Sequence, residues 1–204
     1  MSLVELLMKG GIIMIPIGLL SVFTAYLFIE RYLYIRKNSS LERNFMNNIK
    51  DLVHQGNVNS AVAFCKSSEN AIGRVIEKGL LRIGRPIKEI EGTLESVANI
   101  EITKMERNTS YLGIIAGIAP MLGFIGTIMG VIKIFYDISL SDNISIGIIA
   151  GGLYTKMITS GAGLVVGVIA YTCYHILTIM IERFTLSLQE TSFELTQVLQ
   201  DPAK

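Results

Sequence analysis

The stretch Ala119-Pro-Met-Leu-Gly-Phe-Ile-Gly-Thr-Ile-Met-Gly130 decides how this chain is read. It lies inside an uncharged run from Asn108 to Ile132, and about 20 predominantly apolar residues suffice to cross a bilayer as a helix. A proline, three glycines and one hydroxyl stand where lipid would favour leucine. Small residues let helix backbones approach closely, and Gly113/Gly117 and Gly126/Gly130 are both GxxxG pairs. Thr127 is the polar exception, one turn after Gly123 and close to Gly130, so it is expected to face protein or a cavity. Two roles stay open for it: a packed hydroxyl bonded to its own backbone, or a polar group on a conduit.

The composition agrees with a membrane segment. Half of the 204 residues are hydrophobic and the formal net charge is +1, with a mean hydropathy of +0.51. A soluble domain is seldom this apolar, so the class is integral membrane protein. Near-zero net charge disfavours nucleic acid as a partner. Cys65 and Cys173 fit no disulfide or metal spacing, and free buried thiols are expected. The loops show no nucleophile with a base and no metal cluster, so neither an enzyme nor a cofactor is expected.

Outward from the central stretch, the fold class is all-α, with three transmembrane helices, two of them extended into a helical cytoplasmic region. Residues 1–36 hold an amphipathic interfacial helix, Ser2–Lys9, and a first span in the 19 uncharged residues Gly11–Ile29, closed by Glu30, Arg31, Tyr32 and Tyr34. Residues 37–107 form a cytoplasmic helical region. There, apolar stripes at Leu41–His54, Val58–Lys66 and Ile72–Ile83 are broken at Gly56, Gly73, Gly79 and Gly84. Apolar residues recur at helical spacing from Ile87 to Ile102 with no proline between Pro86 and Pro120, which predicts one helix over Pro86–Tyr136. Residues 108–136 are its second transmembrane part, with Pro120 as a site for a kink.

Residues 137–143 are a periplasmic turn, and 144–181 form the third span. Its 38 residues would stretch about 57 Å as a helix, longer than a hydrocarbon core of roughly 30 Å, so part of it must leave the membrane. Residues 182–204 are a cytoplasmic C-terminal helix. Of the 18 Lys and Arg, 13 lie between Arg31 and Arg107, which places that loop in the cytoplasm, the N-terminus outside and the C-terminus inside.

The spans hold no Asp or Glu between Gly11 and Ile29, Asn108 and Tyr136, or Asn143 and Ile181. Protons usually cross membranes through buried carboxylates or histidines, so a titrating acid would have to come from a partner. The third span carries Thr155, Lys156, Thr159 and Ser160. Lys156, Ser160, Gly163 and Gly167 follow i, i+4, i+7 and i+11 and share one helix face. Such a face suits packing around a narrow polar conduit or around another helix. Lys156 either snorkels toward the outer interface or works in the conduit.

These residues resemble the MotA/TolQ/ExbB proton-channel family, nearest its ExbB and TolQ branch. Ala119–Gly130 is similar to that family's A-P-L-L-G-L-L-G-T-V-x-G signature, and Thr159-Ser-Gly-Ala-Gly-Leu164 to its T-T-A-x-G-L segment. Gly56-Asn57, Ala61, Cys65 and Glu77-Lys-Gly-Leu80 match its loop pattern. The resemblance implies a homopentamer in the bacterial inner membrane whose second and third spans line a pore, with an ExbD-like single-span partner inside it. That partner supplies a membrane aspartate, and the output passes to a TonB-like protein that opens outer-membrane transporters. It also implies pore roles for Thr127, Thr159, Ser160 and Lys156, and helix-packing roles for Gly113, Gly117, Gly123, Gly126, Gly130, Gly163 and Gly167. A glutamate common in the family at the start of the third-span motif is replaced by Thr155 beside Lys156. A TolQ-like or gliding-motor subunit, or a membrane scaffold without conduction, are the competing readings.

Overall fold

A computed structural model describes residues 11–40, 44–140 and 146–200, and every regular element among them is an α-helix. The helices are α1 (Met14–Asn38), α2 (Phe45–His54), α3 (Val58–Ser67), α4 (Ala71–Leu80), α5 (Ile87–Glu106), α6 (Thr109–Ser139) and α7 (Ile146–Gln200). Three stretches are long and apolar enough to cross a membrane: Met14–Asn38, Ile87–Ser139 and Ile149–Gln200. The Ser2–Lys9 helix, the end of the periplasmic turn and the Asp201-Pro202 terminus lie outside the described residues.

The helices fall into two compact units. One contains Asn108–Ile176 and the chain up to Ile29, and the other Glu30–Arg107 with the chain from Leu177 onward. In the first unit the outward faces are apolar, with Ile15, Leu19 and Val22 of α1 and Met121, Phe124 and Met129 of α6 exposed. That exterior suits lipid. The inward face of α6 is made of Leu112, Ile115, Ala119, Gly123, Gly126, Gly130 and Ile134, three or four residues apart.

In the second unit α4 is the central helix, buried at eight positions from Ala71 to Leu80. Asn70 caps it: its side chain accepts from Gly73 N at 2.6 Å and donates to Ser40 O at 2.9 Å. Phe45 and Ile49 of α2, Ala61 and Cys65 of α3, Leu94 of α5 and Leu188 and Leu195 of α7 are also buried in this unit, with Phe45 stacked on Phe64 at 5.5 Å. Gly56 and Gly84 adopt positive φ and end their segments. Gly73 and Gly79 break nothing. Both lie inside α4, where a Cβ on Gly79 would stand 2.6 Å from Leu94 Cδ2 and 3.0 Å from Leu195 Cδ2. Their absent side chains let neighbours touch the helix.

The single helix expected over Pro86–Tyr136 is two helices. Arg107 is extended (φ −52°, ψ 132°) and Asn108 is left-handed (φ 65°), so α5 stops before α6 begins. Asparagine is among the few side chains that tolerate this conformation, and the hydrophobic period that runs through it conceals the break. Pro120 sits inside α6 without ending it. Helix α7, by contrast, runs unbroken for 55 residues, about 82 Å at 1.5 Å per residue.

The buried face of α7 is a seven-residue repeat. Gly163, Gly167, Ala170, Leu177, Ile181, Phe184, Leu188, Thr191 and Leu195 are buried, and with half-buried Tyr174 they alternate four and three residues apart. A strict 3.5-residue period keeps one seam facing its neighbours along a long helix. The seam is made of glycine and alanine at one end and of leucine, isoleucine and phenylalanine at the other.

The candidate site on the α6–α7 seam

The glycines of α6 and α7 meet each other within one chain. A Cβ on Gly163 would lie 2.5 Å from Ala119 O and 3.0 Å from Gly123 Cα. One on Gly167 would lie 2.5 Å from Pro120 Cγ and 3.1 Å from Ala116 O, and one on Gly123 3.0 Å from Ser160 O. Real side chains almost never come this close, so the backbones touch only because these residues are glycine. Ala116 O is the carbonyl that Pro120, lacking an N–H, leaves without its helical donor; Gly167 packs against it. Of the sequence-expected packing glycines, Gly113 faces the Tyr174 ring at 3.6 Å and Gly117 faces open space.

The hydroxyls line the same seam. Thr127 is half-buried, and its Oγ1 donates to Gly123 O at 3.2 Å and toward Lys156 O at 3.4 Å. The bond to its own helix and the reach to the neighbouring helix coexist. Thr159 is fully buried, its methyl against Gly126, where a Cβ would stand 2.9 Å from Thr159 Cγ2. Ser160 and Lys156 are half-buried, and the Lys156 methylenes lie across Gly130 in the place a side chain there would take.

Two features escaped the reading of the sequence. Thr24 of α1 is buried and its hydroxyl donates to Leu20 O at 2.8 Å; a hydroxyl inside an uncharged run was its signal. Arg31, counted above as a flanking positive charge, is buried. Its guanidinium donates to Arg107 O at 3.0 Å and Lys104 O at 3.4 Å, pairs with Glu30, and lies 4.8 Å from the Tyr34 ring centroid. It thereby satisfies carbonyls at the end of α5 that have no helical donor. Nothing in the local pattern separates it from Arg36.

Nearby, Glu101 is buried with Arg74 Nη2 at 2.6 Å and Lys104 Nζ at 2.7 Å. Burial pushes its pKa up, yet the bonds from Arg74 and Lys104 outweigh this and hold it below the usual carboxylate value. Cys65 is free and buried, and Cys173 is free and half-buried. Burial, reinforced by the Glu77 charge, raises the Cys65 pKa to about 12. No group of three metal-ligating side chains occurs among the described residues.

Residues 67–190 match the model of the MotA/TolQ/ExbB proton channel family. The chain belongs to this family. An ExbB homolog of Methanothermobacter thermautotrophicus is 28% identical over 179 residues, covering 87% of this chain and 63% of that protein. The matched region thus spans less than two thirds of that relative. The ExbB-like 3 protein of Synechocystis is 24% identical, covering 90% of this chain and 89% of its own length. The Tol-Pal system protein TolQ of Haemophilus influenzae is 24% identical over 56% of this chain and 51% of its own. This MotA/TolQ/ExbB member is a multi-pass membrane protein of the ExbB/TolQ type.

Proposed function

We propose that this protein is the pore-forming subunit of a proton-motive-force-driven motor in the bacterial inner membrane, with its N-terminus periplasmic and C-terminus cytoplasmic. In this reading it assembles as a homopentamer around an ExbD-like single-span partner and energises TonB-dependent outer-membrane transport through a TonB-like protein. The observation that carries the reading is Thr127. Its half-buried hydroxyl sits on a glycine seam between two apolar stretches, Asn108–Tyr136 and Asn143–Ile181, that hold no carboxylate. A proton path needs a group that titrates, and here a partner must bring it.

A charged Asp at mid-membrane costs at least about 2.5 kcal/mol on insertion scales. Thr127 and Ser160, repeated around a ring of subunits, would offset part of that by hydrogen bonding. Lys156 facing the same cavity would favour the charged form. Thr159, enclosed between α6 and α7, would act by holding the two helices together. The TolQ match favours a second reading, a Tol-type envelope motor, built on the same pore chemistry.

Proton uptake into liposomes tests the proposal. The chain alone is expected to conduct poorly, and co-reconstitution with a single-span protein carrying a membrane Asp is expected to give flux that disappears when that Asp becomes Asn. Strong voltage-driven flux through the lone chain, undiminished by Thr127→Val and Ser160→Ala, would overturn it.

A further inference from the structure

The unit that contains α2 to α5 carries two grooves of opposite charge. The first, of about 350 Å³, is lined by α5 and α7 and presents Glu91 and Glu95 beside Ile102 and Phe193. The second, of about 510 Å³, follows the end of α4 and presents Lys78, Arg82 and Arg85 beside Leu81 and Ile83. Both expose large apolar side chains to solvent: Phe193 is 64% exposed and Leu81 56%. Glu91, Glu95, Arg82 and Arg85 form no ion pair among the described residues.

The two grooves flank α5 on opposite sides of its buried stripe, Ile90, Leu94, Glu101 and Met105. The acidic groove takes Glu91, Glu95, Ala98 and Ile102 from α5, at i, i+4, i+7 and i+11. The basic groove takes Thr93 and Val97 from the other flank.

We propose that these surfaces are the two halves of one head-to-tail contact between copies of this chain. The Arg82/Arg85 ridge of one copy, with Leu81 and Ile83, docks into the Glu91/Glu95/Phe193 groove of the next. This contact rests on the oligomer reading above and adds the surfaces that make it. Two different patches on opposite sides of one unit give a heterologous contact, which closes into a ring when the rotation allows. A two-fold contact through either patch would set like charge against like. Complementary charge steers the encounter and fixes register, while Phe193 and Leu81 supply apolar area.

The test uses the full-length chain in membranes from cells producing two differently tagged versions, one carrying Arg82→Cys and the other Glu95→Cys, with a short bismaleimide. Both positions are exposed, and the natural chain supplies the background from Cys65 and Cys173. The expected result is a crosslink between the two tags when the versions are mixed and none within either version alone. Arg85→Glu on the first version should cut the yield about tenfold, and Glu91→Lys on the second should restore it.

An oligomer seen by native mass spectrometry without the mixed crosslink would overturn this contact and leave the oligomer reading standing. Monomers alone would overturn both. Crosslinks between identical copies would replace the head-to-tail contact with a two-fold one. Protection of Arg82→Cys by phosphatidylglycerol vesicles, with no mixed crosslink, would assign the basic ridge to lipid instead. Partner-dependent proton flux is read separately, so its failure would not be mistaken for failure of this contact.

Discussion

Gly130 and Lys156 are complementary: the lysine's methylene stem fills the space that a side chain on the glycine would occupy. The stem is thus covered by α6 while the ammonium is left to find water or a polar partner, as long basic side chains do at membrane boundaries. Gly130→Leu should evict Lys156 from the seam and destabilise α6–α7 packing by about 1–3 kcal/mol, the usual scale of overpacking. Lower thermal stability in detergent, with Lys156 more accessible to amine-reactive labels, would be the signature. Unchanged labelling would mean the stem lies elsewhere.

Thr127→Val should leave insertion and assembly nearly intact. It removes a hydroxyl that already bonds Gly123 O of its own helix, so the stability loss should be about 1 kcal/mol or less. Energy-dependent function should nevertheless be abolished. Complementation of a transport-deficient strain measures this, and near-normal activity would leave Thr127 a packing residue.

Gly163→Leu bears on the subunit before it bears on any assembly. Its Cβ would meet Ala119 O and Gly123 Cα of the same chain, so the α6–α7 hairpin should open first. Protease sensitivity of the extracted protein should rise even where oligomers survive. An intact hairpin with dissociated oligomers would reverse that order.

Glu101 should make the α2–α5 unit sensitive to acid. Its folded pKa lies below the unfolded value because Arg74 and Lys104 bond it despite burial. The stability it contributes is therefore present above the unfolded carboxylate pKa and lost as pH falls through the folded one. Glu101→Gln should remove that dependence and cost about 1–2 kcal/mol, less than a fully buried pair because both cations are partly exposed. Chemical denaturation followed between pH 3 and 7, roughly the carboxylate range, separates the two proteins.

Cys65 should resist alkylation in the folded protein at pH 8 and react once the chain is unfolded. Its thiol, pushed up to about 12 by burial and Glu77, carries almost no thiolate there, and thiolate is the nucleophile. Mass-spectrometric counting of labels with and without denaturant checks it. Rapid labelling of Cys65 in the native state would contradict its burial.

The helical class and the spans were legible because hydropathy and the helical period are local properties of the chain. So was the face shared by Lys156, Ser160, Gly163 and Gly167, since four residues at i, i+4, i+7 and i+11 align in any helix. What meets that face was decided only by the fold: Gly163 sits on Ala119 and Gly167 on Pro120, so the small residues serve an interface inside one chain. The break at Asn108 escaped because an unbroken hydrophobic period does not report one residue's φ. Gly73 and Gly79 read as breakers for the converse reason, since a glycine that turns the chain and one that admits a neighbour look alike in one dimension. Arg31 shows the limit most directly. Its charge is written in the sequence, but the carbonyls it caps lie more than seventy residues away, and only the packing of α1 against the end of α5 brings them within hydrogen-bond reach.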